Sequence, residues 1–409
     1  MPGRMHLVAT AFALNMLGLC GVALAEPAPG DVFREYIWHK ETGDAGGSLR
    51  IGGKLGSTSP VALDHEFDLE HATKAEVVIE KLLCHDGTKG LAIQINGHEW
   101  LPVPEAEKIP EPQWAYQHHV YPIIPVPLAW LKAGRGNEFF MRVSSEHSWN
   151  WPQNLVYGVH FRIYYDSTKK PHPTGTITSP ASGATIGLSA TLACQAQSPN
   201  GAIRQVDFVG NYEDVNFEGD GEYRQWHYHF FRGKITHHLG SAKTAPYTVR
   251  WDTSWAPDQD QPMRLVARIT DTAGLIYMTP VVENLKLVRP GLSVELCKPC
   301  DIPKQWVTRR GRKEEKFNIA GDLKKAVAAQ LVWVSWSPGY MNGIFINDKR
   351  VFDNEGPKYQ YFAHRVALKD ISVLTTGANT LATGPSPKNQ HGMEVNWPGI
   401  MVLIQYKTK

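Results

Sequence analysis

Three clusters in the sequence carry side chains able to do chemistry. The first, Glu146-His147-Ser148-Trp149-Asn150-Trp151-Pro152-Gln153-Asn154, sets two indoles among a carboxylate, an imidazole and three carboxamides. The second spreads Asn389, Gln390, His391, Glu394, Asn396 and Trp397 over nine positions. A ligand with flat apolar C–H faces edged by hydroxyls, such as a sugar ring, calls for this mixture: an aromatic plane to lie against and planar polar groups for its rim. The candidate contacts are Glu146, Trp149, Asn150, Trp151 and Gln153 in the first cluster and His391, Glu394 and Trp397 in the second. The same tryptophans also suit the plugged end of a sandwich, with the Asn side chains fixing turns; the sequence leaves both readings open.

The third cluster is Trp226-His227-Tyr228-His229-Phe230-Phe231-Arg232. Trp226 and Tyr228 are candidate ligand contacts. His227 and His229, two residues apart, fall on one face of a strand, a spacing used by metal sites, and His237-His238 follows. Zinc or copper would suit such donors, although Arg224, Arg232 and Lys234 oppose a cation. The acidic run 213–222 offers oxygen ligands to calcium but lacks the ligand order of a known loop. No motif demands a cofactor. A third use of the segment is packing against a neighbouring domain. For catalysis, Glu146, Glu394, Tyr116, His118, His119 and Tyr228 are available, yet no motif pairs them, and no serine elbow, phosphate loop or H-E-x-x-H helix is present.

What must position these clusters is a chain poor in helix. Of 409 residues, 36 are Gly and 28 Pro, which punctuate elements rather than extend them. A hydrophobic share of 42% excludes a disordered chain, and the length implies several domains. Lys and Arg number 42 against 40 Asp and Glu, with no basic run able to track a phosphate backbone, so nucleic acid is not an expected partner. Residues 1–25 read as a signal peptide: Arg4, an apolar stretch, then Ala23-Leu24-Ala25, with cleavage expected after Ala25. No other stretch is apolar enough to span a bilayer. Export to the exterior or periplasm would permit disulfides among Cys84, Cys194, Cys297 and Cys300, whose pairing stays open. For Cys297-Lys-Pro-Cys300 the expectation is a local bridge or two buried thiols.

An internal repeat frames the chain. Residues 67–165 and 317–406 share an order of features: Phe67 and Phe317, an apolar run, a loop, then Ile95-Asn96-Gly97 and Ile346-Asn347-Asp348. A turn ending in Asn137 or Asn379 follows, and each block closes on an apolar strand ending in Tyr165 or Tyr406. Alternation such as Leu91-x-Ile93-x-Ile95 is that of strands, and short strands between turn signals imply an all-β sandwich protein. The strand ending in Ile-Asn-Gly and the later Leu-x-x-Gly-x-Asn turn resemble galactose-binding-like jelly rolls, the fold of many carbohydrate-binding modules. That resemblance implies a sandwich and no particular ligand.

The middle block differs. Ser179-Pro180-Ala181-Ser182-Gly183-Ala184, Val206-Asp207-Phe208, Ala245-Pro246-Tyr247-Thr248-Val249-Arg250-Trp251-Asp252-Thr253 and Ala267-Arg268-Ile269-Thr270-Asp271-Thr272-Ala273-Gly274 closely resemble the bacterial immunoglobulin-like domains that accompany secreted carbohydrate-active enzymes. The resemblance implies Trp251 in the core and Asp252 capping a turn. Where such a domain needs a short hairpin, this chain carries an insertion, 210–245, whose aromatics argue against disorder.

The expected organisation is three β-sandwich domains, jelly roll, Ig-like and jelly roll: 26–170, 171–289 with the insertion, and 290–409. Pro-rich joints near 171–173 and 289–290 are expected to be exposed, so that the fragments between them unfold separately. The expected function is noncatalytic binding of a polysaccharide or other glycan. A polysaccharide-degrading enzyme, glycoside hydrolase or lyase, with an interdomain site is the alternative, and a structural or adhesive surface protein the third reading. The oligomeric state is left open.

Overall fold

The computed structural model describes residues 27–39, 49–51, 59–61, 63–83, 90–105, 118–143, 154–303, 305–386 and 391–408. The expected signal peptide, Cys84, and the whole cluster Glu146, Trp149, Asn150, Trp151 and Gln153 lie outside them. Among the described residues the chain is β throughout, its helical elements being three-residue 3-10 turns.

In the first sandwich, Asn154–Tyr165 lies between Val32–His39 and Ala72–Leu83, whose other edge takes His118–Val120 and Ile123–Val126. The facing sheet runs Ser59–Val61, Phe139–Arg142, Ala92–Ile95, Leu101–Pro102. Period-two alternation sends Val77, Ile79, Val159, Phe161 and Ile163 into the space between, all at 0% exposure. The last sandwich repeats the plan: Met401–Lys407 between Leu292–Cys297 and Ala326–Trp336, with Tyr361–Ala367 beyond, over a sheet built from Lys313–Ile319, Gly377–Thr383 and Ile344–Ile346.

The repeated asparagines explain the repeated sequence. Asn96 and Asn347 sit at φ 50° and 47°, a left-handed turn that Asn tolerates because its short amide bonds locally. Asn96 Nδ2 donates to the Trp130 carbonyl at 2.7 Å and to Asn137 Oδ1 at 2.9 Å. Asn347 Nδ2 makes the same pair of bonds, to the Val373 carbonyl at 2.9 Å and to Asn379 Oδ1 at 2.8 Å. Asn137 and Asn379 each fix the turn before them by accepting a backbone N–H at 2.9 Å, from Lys132 and Thr375.

Between the sandwiches, Thr174–Ser179, Ser189–Gln197 and Tyr247–Asp252 face Ile203–Glu213, Met263–Asp271 and Val282–Leu287 across a core holding Leu192, Phe208 and Leu265. Trp251 is buried in that core, and Asp252 Oδ1 accepts from the Ser254 N–H at 2.8 Å, the two roles implied by the Ig resemblance.

Two expectations change. Cys194, Cys297 and Cys300 are free thiols. The Cys297–Cys300 bridge is not formed because the chain crosses from one sheet to the other between them: Leu292–Cys297 pairs with Met401–Lys407, Pro299–Cys300 with Lys313–Ile319. Cys297 is buried and Cys300 exposed, so they are not two buried thiols either. The joints are also not places where few contacts cross. Val32–His39 pairs with Leu275–Met278, merging the first sandwich and the Ig-like domain into one 13-stranded sheet. Arg289 is 6% exposed and donates to the carbonyls of Thr253 at 2.7 Å and Ala256 at 2.6 Å while pairing with Asp258.

Candidate functional site

The insertion packs rather than projects. Tyr228 and Phe230 enter a shared core with Phe33, Tyr164, Val209, Val266 and Ile276, filling the angle between the first sandwich and the Ig-like domain. Each such side chain contributes roughly 1.5–3 kcal/mol by leaving water. Tyr228 is thus held in packing, its ring under the Arg268 guanidinium, while Trp226 is half-buried with Arg264 over its face. On the other side Val215 joins Val294, Val332, Met401 and Leu403 of the last sandwich. Gly219, at φ 68°, marks the meeting point of all three bodies: a Cβ there would stand 3.1 Å from the His119 nitrogen and 3.4 Å from the Trp397 carbonyl.

Buried titratable groups gather at this junction. Beneath the insertion, Glu35 accepts from Arg162 Nη2 at 3.1 Å and Arg268 Nη2 at 2.7 Å, and Arg162 Nη1 reaches Glu76 at 2.6 Å. Burial raises the Glu35 pKa, but Arg268 and Arg162 outweigh it and bring the carboxyl down to about 2. Farther along, Glu80 is fully buried, accepts the Arg232 N–H at 2.9 Å and stands 3.4 Å from His119 Nε2. Here burial wins and pushes the Glu80 carboxyl up to about 8, while burial and the charge of His229 hold His119 well below its ordinary range. Tyr121 bonds the Phe230 carbonyl at 2.7 Å, and the Tyr361 ring of the last sandwich meets His119 edge-on at 5.0 Å.

His227 and His229 both turn to Glu218, but not from one strand as expected: Arg224–Trp226 ends before His227, and His229 opens the next strand, His229–Phe231. The Nδ1 of each stands 3.8 Å from Glu218 Oε1, and His227 Nε2 bonds the Tyr212 carbonyl at 2.8 Å. Burial would raise Glu218, but the two imidazoles hold it far down; the same carboxylate overcomes burial to lift His227 to about 9. Among the described residues no group of three or more His, Cys, Asp or Glu could hold a metal ion.

The second sequence cluster divides. Glu394 is buried and paired with Arg309 at 2.5 Å; Trp397 is half-buried. His391 is exposed and joins two residues that the sequence reading passed over, Tyr340 and Tyr359. Its ring stacks on Tyr340 at 5.2 Å and 27° and meets Tyr359 edge-on at 5.4 Å, with the Lys358 ammonium 5.0 Å above Tyr340. Tyr359 holds φ 58°, costly for an aromatic residue, and its N–H donates to Ser337 Oγ at 2.7 Å, Ser337 itself being left-handed at φ 51°. The rings are therefore set by their backbone rather than by collapse. A signal existed in Ser337-Pro338-Gly339-Tyr340 and Pro357-Lys358-Tyr359, turn sequences that each present a tyrosine.

A cleft of about 640 Å³ lies between the Ig-like domain and the last sandwich, lined in part by Glu213, Asp258, Glu295 and Asp322. Four of its carboxylates are engaged: Glu213 by Lys298, Asp258 by Arg289 and Ser293, Glu295 by Tyr406, and Asp322 by the Lys324 N–H; Asp260 also lines it.

No curated protein matches the chain. Among solved structures it is similar to a DUF4785 family protein from Legionella pneumophila, at 11% identity over 93% of this chain and 85% of that one, with a TM-score of 0.24. The fibronectin(III)-like modules of Clostridium thermocellum CbhA align at 16% identity over 47% of this chain and 77% of theirs, TM-score 0.19. A β-porphyranase of glycoside hydrolase family 86 from Bacteroides plebeius aligns at 11% identity over 60% of this chain, TM-score 0.21; the chain spans only 38% of that enzyme's length. The bacterial Ig domain family matches residues 173–267, and the middle of this all-β, multidomain chain is accordingly an Ig-like domain.

Proposed function

We propose that the protein binds polysaccharide outside the cytoplasm, with residues 1–25 removed on export, an Ig-like domain at 171–289, and galactose-binding-like sandwiches at 26–170 and 290–409. The observation that carries this reading is the rim cluster Tyr340, Tyr359 and His391: three partly or fully exposed rings, preset by two left-handed residues, with Lys358 beside them. Such a surface offers a sugar its apolar face and a few edge donors. The named glycan-active enzyme among the similar structures agrees with this reading without adding weight to it.

The test is affinity electrophoresis of the exported protein through a panel of neutral and acidic polysaccharides, with and without added salt. Retardation that persists in salt is expected, since stacking and neutral hydrogen bonds release no counterions. Tyr359→Ala and His391→Ala should abolish it with the melting temperature unchanged. Variants that bind like the wild type would remove this rim from the account. The alternative, a polysaccharide-degrading enzyme, draws on Glu80 and Glu218, two buried carboxyls whose surroundings push them in opposite directions, as in an acid and base pair. Both are buried to 5% exposure or less, so that reading requires the junction to open, and product release from the same panel separates the two.

A further inference from the structure

Where the Ig-like domain meets the last sandwich, a pocket of about 230 Å³ holds opposite charges that do not pair with one another. Its aromatic lining is Tyr212, Trp251 and Trp255. Tyr212 and Trp251 are buried, their rings 5.4 Å apart at 58°, and half-buried Trp255 packs against the cluster of Val215, Val294 and Met401. All three rings are therefore held by packing before any ligand arrives. Asp214 and Asp252 enter from the Ig-like domain, and Arg365 from Tyr361–Ala367, a strand at the edge of the last sandwich.

Among the described residues Arg365 has neither an ion pair nor a hydrogen bond, although it lines a pocket with two carboxylates. Those carboxylates are oriented by their own segment of chain. Asp214 accepts the Val215 N–H at 2.8 Å and the Tyr212 hydroxyl at 3.2 Å. Asp252 accepts the Ser254 N–H at 2.8 Å, a bond that holds its carboxyl below the ordinary range and makes it an acceptor at neutral pH. Ser254 also lines the pocket, and its carbonyl accepts from Gln405 Nε2 of the last sandwich at 2.8 Å. That bond ties the two walls together and sets the gap between the acidic side and the guanidinium.

We propose that this pocket binds one acidic sugar ring, a uronate, with its carboxylate on Arg365, its hydroxyls on Asp214 and Asp252, and its C–H face on Trp255. A guanidinium fork matches a carboxylate bidentately. Ionised carboxylates only accept, so the groups that meet Asp214 and Asp252 must donate, as sugar hydroxyls do. An indole takes the flat apolar face. A neutral sugar would leave Arg365 unpaired, and a bare inorganic anion would face two carboxylates with nothing to donate to them. The volume lies below the roughly 300–1,000 Å³ of pockets that enclose drug-sized ligands, so it admits a single ring, either a chain end or a free sugar acid. The inference rests on the glycan reading for its class of ligand and goes beyond it in charge and in place, since the pocket shares no residue with the rim of Tyr340, Tyr359 and His391.

The experiment titrates sodium glucuronate, glucose and sodium acetate into the purified full-length protein by calorimetry. Glucuronate should bind one per chain. Glucose, with a hydroxymethyl group in place of the carboxylate, should bind at least about tenfold more weakly, the worth of a hydrogen bond to a charged group. Acetate, the carboxylate without the ring, should give no measurable heat. Arg365→Ala should weaken glucuronate to the level of glucose with the melting temperature unchanged, because the side chain is exposed, and Arg365→Lys, which keeps the charge but not the fork, should recover only part. Trp255→Ala should weaken both sugars. Glucuronate that binds no tighter than glucose, acetate that binds as tightly as glucuronate, or wild-type affinity for glucuronate in Arg365→Ala would each overturn the proposal. The two readings fail separately: retardation by polysaccharide without glucuronate binding removes this pocket and leaves the rim, whereas glucuronate binding without retardation removes the rim and leaves the pocket.

Discussion

Replacing Arg268 with Met tests whether the first sandwich and the Ig-like domain are one cooperative body. Arg268 is 3% exposed, contributes Nη2 to Glu35 at 2.7 Å across the merged sheet, and lies over the rings of Phe33, Tyr228 and Phe230. Methionine keeps the apolar contact and deletes the charge, leaving buried Glu35 to Arg162 alone. Breaking one side of a buried pair typically costs about 3–5 kcal/mol. The direction agrees: against the burial that raises it, Arg268 is the largest of the charges that bring the Glu35 carboxyl down to about 2, with Arg162 next. Because that pKa is depressed in the folded state, the contribution is present above pH 4.5 and lost as pH falls toward 2. Urea unfolding at neutral pH, followed by tryptophan fluorescence and far-ultraviolet dichroism, should show a single wild-type transition across both bodies and a loss of about 3–5 kcal/mol in Arg268→Met. The loss should shrink toward pH 2 and be partly recovered in Glu35→Gln/Arg268→Met. Separate wild-type transitions for the two bodies, or a loss below about 1 kcal/mol, would refute the reasoning.

Two further outcomes follow from the geometry. Asn96→Ala and Asn347→Ala each remove the amide that ties a left-handed turn to its partner asparagine, so each should cost about 1–3 kcal/mol by thermal or chemical denaturation; Asn96→Gly, which keeps the backbone angle but not the bonds, should recover only part. Glu80 is raised by burial to about 8, so its stabilisation is complete below its ordinary 4.5 and lost as pH rises through 8. The stability difference between wild type and Glu80→Gln should therefore fall steadily from pH 5 to 8, and a flat difference curve would show that Glu80 is ionised in the folded protein.

What the sequence disclosed was local chemistry. The Asn96 and Asn347 turns could be found because one side chain makes bonds within its own block, so type and spacing recur together. The Ig-like strands were legible for the same reason, Trp251 and Asp252 being neighbours with separate jobs. Partnerships between distant segments left no such trace. Glu35 and Arg268 lie 233 residues apart, each an unremarkable charge in an alternating strand, and nothing in their spacing announces a buried bridge. Arg289 beside Pro290 reads as a linker, yet its guanidinium is buried against the carbonyls of Thr253 and Ala256. His227 and His229 were visible as a pair, but Glu218, nine residues upstream of His227, blended into an acidic run. Tyr340 and Tyr359 went unnoticed because turn residues conceal which rings they bring side by side.

The sheet shared by Val32–His39 and Leu275–Met278 also has a mechanical meaning. A flexible tether would let the first sandwich swivel, and a pull on either end would straighten that tether first. Here a stretching force meets paired backbone and a bridge of buried ions before any slack is taken up. The two bodies then respond as one stiff lever, against which the last sandwich is seated through the contact of Tyr361 with His119.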